Sequence, residues 1–211
     1  MMKGLITKEF LVLIKNNKMQ LFCILLMAVF GVVMKSAVYI MFIPLLFPML
    51  VNQVLTVDET SRWDKYSACF PVNKKDIVSS KYIVALMASL LSVVLSLAAF
   101  IAINIVNKDK TIGMNDIVGY LTAAASASII LPSIMYPFDF KFGTAKGRLV
   151  YFTATGVAIA GLTALFMKKD MTPYLSRITQ PAFIAAIIAA ALIIFIVSWF
   201  VSAKIYEARE I

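Results

Sequence analysis

The chain contains no histidine. That absence excludes histidine metal ligands, Ser-His and Cys-His nucleophile pairs, and imidazole pH switches. Cysteine is nearly missing as well. Cys23 lies in an apolar run and Cys69 in a polar loop, so a disulfide and a thiolate metal site are both disfavoured. The phosphate-loop pattern G-x-x-x-x-G-K-[S/T] occurs nowhere, so the chain does not hydrolyse ATP by that route. Charged residues make up only 15% of the sequence, and every acid stands near the end of an apolar run or in a loop. No acidic pair is therefore expected inside a membrane, where an intramembrane protease or proton relay needs one. The adjacent acids Asp58 and Glu59 read as a charge cluster at a helix end rather than as a metal site.

What remains is apolar. The 211 residues are 62% hydrophobic, with mean hydropathy +0.91, whereas a soluble domain is ~45–50% apolar and ~25% charged. The fold class expected is an all-α integral membrane protein, with residues 1–211 forming one transmembrane domain. Six intervals between charges reach spanning length: Met19–Met34, Ser36–Val57, Tyr82–Asn107, Ile117–Phe138, Leu149–Met167 and Ile178–Ala203. Lys18 and Lys35 can snorkel to extend the short first one. Residues 1–20 are basic, with Leu5, Ile6, Phe10, Leu11 and Ile14 apolar, and read as an interfacial helix. A signal peptide is the weaker reading, because no small-x-small cleavage pattern is present and five more spans follow.

The net charge of +9 fits cytoplasmic loops better than a nucleic-acid partner. Counting Lys and Arg puts 14 on the N-terminal side of the membrane and six on the other, so both termini are expected in the cytoplasm. Within the second interval, Pro44, Pro48, Asn52 and Gln53 fit either a kinked span lining a translocation path or an ordinary kinked packing helix. The small residues Ala123–Ser128, Gly156, Gly161 and the alanines of the last interval suit close helix contact, within the chain or at a dimer seam.

Two internal loops carry the remaining signals, residues 58–81 and 139–148. The first runs DETSRWDKYSACFPVNKKDIVSSK and is followed by Tyr82; up to that tyrosine it holds five of the twenty basic residues and four of the eleven acids. Ser61 with Asp64 three residues later predicts an N-capped helix, and Pro71 ends it. Trp63, Tyr66 and Phe70 then fall at i, i+3 and i+7 on one face. Asn73 with Asp76 predicts a second helix start that runs into the next span. The aromatic face fits a docking surface for a partner or an anchor in the headgroup region. The second loop, FDFKFGTAKGR with Phe138 first, places Lys141, Phe142, Gly143 and Lys146 together, again fitting docking or an interfacial turn.

At these loops the chain resembles the six-span permeases of bacterial ATP-binding-cassette (ABC) transporters of the type-two exporter kind. The resemblance rests on several stretches: the basic start from Met2 to Phe10; Glu59, Ser61 and Asp64; Pro71 through Lys75 with Ile77, Val78, Ser80, Lys81 and Tyr82; and Pro137, Lys141, Phe142, Gly143, Lys146, Gly147 and Arg148. Among such permeases it is similar to membrane subunits of exporters for phenol-soluble modulins, which are amphipathic cytolytic peptides, and to those of bacteriocin export and immunity. The resemblance implies a multi-pass protein of the bacterial plasma membrane that is not itself an enzyme. It implies two permease chains, identical or sister, with two separate ATPase subunits that hold ATP and Mg. It makes the Ser61–Phe70 helix a coupling helix seated on the ATPase, with Glu59, Ser61, Arg62, Trp63, Asp64, Tyr66, Phe70 and Pro71 at that interface. The second loop, with Lys141, Phe142, Gly143 and Lys146, supports it. The cargo implied is a hydrophobic or amphipathic peptide. The rival reading is a stand-alone immunity or pore-forming protein without an ATPase; an intramembrane enzyme is disfavoured by the missing histidine and the missing buried acids.

Overall fold

In a computed structural model of the chain, residues 2–34, 39–40, 42–67, 69–70, 72–106, 114–149, 152–153, 156–157 and 181–208 are described. Every regular element among them is helical: α1 (Met2–Asn16), α2 (Lys18–Val33), α3 (Ile43–Thr60), α4 (Trp63–Ser67), α5 (Lys74–Val106), α6 (Met114–Phe142) and α7 (Pro181–Glu207).

Helix α1 buries Leu5, Glu9 and Leu13, a stripe with helical spacing of four, against α3 and α5. It ends at Asn17, and α2 leaves at 71° to it. Asn17 is buried and donates from Nδ2 to the Leu50 carbonyl of α3 at 3.2 Å, which fixes the bend. At the other end of α2 the chain turns back so closely that a Cβ on Gly31 would stand 2.9 Å from Ile40 Cγ1. Helix α5 has 33 residues, about 50 Å at ~1.5 Å per residue, longer than the ~30 Å hydrocarbon core. Its first turns can therefore carry Lys74, Lys75, Asp76 and Lys81 beyond that core. Along its buried side Ala85, Ser89, Ser92, Ser96, Ala99 and Ile103 alternate in steps of four and three. The serine hydroxyls bond back to carbonyls three or four residues earlier, so the seam is narrow and internally satisfied.

Helix α6 runs past Pro132 and Pro137 to Phe142, beyond Phe138, where the expected interval ended. A proline removes the N–H that would bond the carbonyl four residues earlier. For Pro137 that carbonyl is Ser133, and the Ser198 hydroxyl of α7 donates to it at 2.5 Å. Ser198 spends its single proton there, so Tyr82 of α5 donates to Ser198 at 2.7 Å and accepts from Ser202 at 2.8 Å. The chain Ser202–Tyr82–Ser198–Ser133 thus ties α5, α6 and α7 together, with Tyr136 and Phe195 edge-on to the Tyr82 ring.

Among the described residues, three helices are long and apolar enough to cross a membrane, or four if the bent pair α1–α2 counts as one span. Helix α2 has 16 residues and α3 has 18, with Asp58 and Glu59 in its last turn. The fifth expected interval, residues 149–167, falls almost wholly outside the described residues, as does Lys35. Cys23 and Cys69 are both free.

Candidate functional site

The beginning of α1, the end of α3, the start of α5 and the ends of α6 and α7 meet at one end of the bundle. Lys74 reaches the Glu207 carbonyl at 3.3 Å and Lys75 the Glu207 carboxylate at 3.5 Å, which joins the start of α5 to the end of α7. The two loops singled out by sequence therefore share one surface with the N-terminal helix.

The first loop differs from expectation at its start. Ser61 does not cap a new helix; it is the C-cap of α3. Its N–H bonds the Val57 carbonyl at 2.9 Å, and its hydroxyl donates back to the Asp58 carbonyl at 3.2 Å. Thr56 and Thr60 also bond back to carbonyls one turn earlier, which carries α3 past the acidic pair. Arg62 then turns the chain with φ 52°, a left-handed conformation costing a non-glycine residue ~1–2 kcal/mol. The short helix is Trp63–Ser67 rather than Ser61–Phe70. Pro71 and the Asp64 side chain lie outside the described residues, and α5 begins directly after Asn73 as expected.

The three aromatics do not share one face. Trp63 and Phe70 stack with ring centroids 6.2 Å apart, and the Lys8 ammonium of α1 lies over the Trp63 ring at 4.3 Å. Trp63 therefore packs inward on the N-terminal helix. Tyr66 and Phe70 are 63% and 56% exposed, and with Arg62 and Lys65 they form the outer surface.

Beneath this loop lies a four-charge cluster. Lys81 is buried and pairs with the Asp58 carboxylate and, at 3.2 Å, with Glu9. Lys8 pairs with the other Asp58 oxygen and, at 3.2 Å, with Glu9. Two cations face two carboxylates, so the cluster is neutral. The expectation of charge-free spans made no provision for this cluster, which lies buried at the end of the bundle, where each charge taken from water has a partner of opposite sign. Lys8, Glu9 and Lys81 lie in stretches that carry the family resemblance but were not among the expected site residues. The available signal was Glu9, the sole acid before Asp58, set four residues from both Leu5 and Leu13 on the buried stripe.

The second loop is helical rather than open. Helix α6 continues to Phe142, Gly143 breaks it with φ +83°, and residues 144–149 are helical again. Glu59 joins the two loops: its Oε2 accepts the Thr144 N–H at 2.8 Å and the Thr144 hydroxyl at 2.5 Å. A helix start leaves its first N–H groups unpaired and carries partial positive charge, so a carboxylate is favoured there. Gly143 is required twice, by its positive φ and because a Cβ would stand 2.7 Å from Glu59 Oε1. Lys141, Phe142 and Lys146 are exposed on the same surface.

A family model described as ABC-2 family transporter protein matches residues 4–207. The chain belongs to the ABC-2 transporter family. It is thus a multi-pass membrane subunit, the permease component of an ABC transporter, whose ATPase is a separate subunit. No match was found among curated proteins or among solved structures.

In this ABC-2 permease, Pro44 and Pro48 are buried within α3. Asn52 is 2% exposed and lines a cavity of about 210 Å³ between α2, α3 and α6. Gln53 lines it too, as do Gln20 of α2, Met135 of α6 and Arg148. Of the four residues read as a possible path, two therefore face a polar cavity.

Proposed function

We propose that this chain is the permease of an ABC exporter for hydrophobic or amphipathic peptides, and that its ATPase seats on the joined surface of residues 58–82 and 139–149. The observation that carries this reading is the Glu59–Thr144 bridge laid over the Lys8–Glu9–Asp58–Lys81 cluster. Together they make one rigid platform from two loops and the N-terminal helix, with Tyr66, Phe70, Lys141, Phe142 and Lys146 outermost. A permease whose ATP and Mg are bound in another subunit needs such a platform to receive motion. The lysine count supports six spans with this face and both termini in the cytoplasm of a bacterial cell. A second copy or a sister permease completes the transporter.

The test is affinity purification of the full chain from its host membrane. An ABC ATPase is expected to co-purify, and Tyr66→Ala with Phe70→Ala is expected to lower its recovery about 10-fold or more, since interface aromatics are often worth ≥ ~2 kcal/mol. Trp63→Ala is the poorer probe, because besides the Phe70 stack that both changes break it removes the internal contact with Lys8. If the wild-type chain captures no ATPase and the Tyr66/Phe70 variant exports an amphipathic peptide as wild type does, the reading is wrong.

A further inference from the structure

The polar cavity between α2, α3 and α6 has properties that coupling to an ATPase does not explain. Asn52 Oδ1 and Gln20 Oε1 are both buried, and neither has a hydrogen-bond partner. Asn52 Nδ2 has only the Met135 sulfur, at 3.7 Å. A buried amide oxygen left unpaired costs roughly 1–3 kcal/mol, so two lining one cavity point to an occupant that donates hydrogen bonds. Arg148 stands at the same cavity, fixed by a 3.3 Å hydrogen bond to Thr56 one turn beyond Asn52 on α3. Among the described residues it makes no ion pair. The rest of the wall is soft and apolar: Met49, Met135 and Phe152.

We propose that this cavity receives the C-terminal end of a peptide, with its carboxylate on Arg148, the backbone N–H groups of its last two residues on the amide oxygens of Asn52 and Gln20, and an apolar side chain against Met49, Met135 and Phe152. The last two residues of a chain bring all three chemistries within a few bonds of one another. Water alone satisfies the amides but leaves the guanidinium with no hydrogen-bonded anion, since the buried Asp139 carboxyl acts on Arg148 only through its charge and bonds to no donor. A lipid headgroup supplies an anion and donors, but its apolar part is the acyl chains, which lie beyond the glycerol. The proposal rests on the peptide-exporter reading and narrows it to recognition of a free C-terminus.

The probe is a fluorescein-labelled 20-residue amphipathic peptide ending in Leu, made as the free acid and as the carboxamide. Binding is read by anisotropy to the full-length chain in phosphatidylcholine nanodiscs. The acid is expected to bind about 10-fold or more tighter than the amide, the usual range for a charge-assisted pair. Arg148→Gln, an exposed site, is expected to remove that difference, and Asn52→Leu to weaken both forms. Equal binding of acid and amide to wild type, or a preference that survives Arg148→Gln, overturns the proposal. Loss of the preference when phosphatidylglycerol replaces phosphatidylcholine assigns the cavity to an anionic headgroup and also overturns it. ATPase recovery from the same preparation separates the two levels. Acid and amide bound alike, with the ATPase present, removes the carboxylate site and leaves the exporter reading standing. Binding of neither form removes the site and the peptide cargo together.

Discussion

Replacing Lys81 by methionine tests whether the four-charge cluster holds the platform together. Lys81 is 5% exposed and faces Asp58 and Glu9. At 3.2 Å from Glu9, and with an effective dielectric constant of ~20, one such pair is worth about 5 kcal/mol before desolvation is subtracted. Desolvation takes back several kcal/mol per ion, and methionine keeps most of the packed volume. What decides the outcome is the charge left behind. Lys81→Met leaves Asp58 and Glu9 sharing Lys8, a buried net charge of one, and such broken clusters cost ~3–5 kcal/mol. For a chain of this size that corresponds to about 6–20 °C in the unfolding midpoint. Adding Glu9→Gln restores neutrality through the remaining Lys8–Asp58 pair, so the double variant is expected to be more stable than the sum of the two single losses by at least ~1 kcal/mol. Heating detergent-solubilised protein and reading the surviving monodisperse fraction by size exclusion measures all four members of the cycle. A Lys81→Met protein as stable as wild type, or strictly additive losses, would refute the cluster as a structural unit.

Three further outcomes follow from single contacts. Gly143→Ala forces a side chain into positive φ and onto Glu59; it is expected to cost ~1–2 kcal/mol and to speed amide exchange across residues 143–149, while Ala145→Gly, exposed on the same segment, leaves Glu59 and its bond to Thr144 in place. Ser198→Ala removes the donor that satisfies the Ser133 carbonyl and the acceptor of Tyr82, for a loss of ~1–3 kcal/mol; in a Pro137→Ala background, where the helix N–H returns to Ser133, the same change is expected to cost measurably less in thermal unfolding. Cys69 is exposed at the platform end, so a membrane-impermeant maleimide is expected to label it in inverted vesicles and not in intact cells; labelling from outside would reverse the assigned orientation.

Apolar run length made the existence of α2, α3, α5, α6 and α7 legible, because a span must satisfy its own backbone and can hardly hide its composition. The clustering of the two loops was legible only in part. Asn73 announced the start of α5 through ordinary capping preference, but Ser61 sent the same signal from a helix end, since a serine hydroxyl bonds back to a carbonyl as readily as forward to an N–H. The prolines of α6 conceal a contact for a related reason. They remove a bond within their own helix, and the group that replaces it, Ser198, lies 65 residues away in sequence. Trp63 was expected to face outward by helical spacing, yet one turn of helix is too short for spacing to fix a face, and Lys8 supplied the inward partner. Apart from Glu9 on its apolar stripe, the buried cluster was hidden for the same reason as Ser198: Lys8, Asp58 and Lys81 each look like a solvated charge until the three helices are brought together.

These contacts also suggest why the acidic pair Asp58–Glu59 is adjacent. Successive residues on a helix point about 100° apart, so the two carboxylates serve different neighbours from one turn of α3. Asp58 turns toward α1 and α5 and is held by Lys8 and Lys81; Glu59 turns toward the end of α6 and holds Thr144. The last turn of α3 is therefore the joint between the N-terminal helix, the first loop and the second loop. On the proposed reading, force applied by an ATPase at Tyr66 and Phe70 reaches Thr144 through a single carboxylate and α1 through one ion cluster. Asn52 lies less than two turns back along the same helix, so any shift of that joint also moves the wall of the polar cavity.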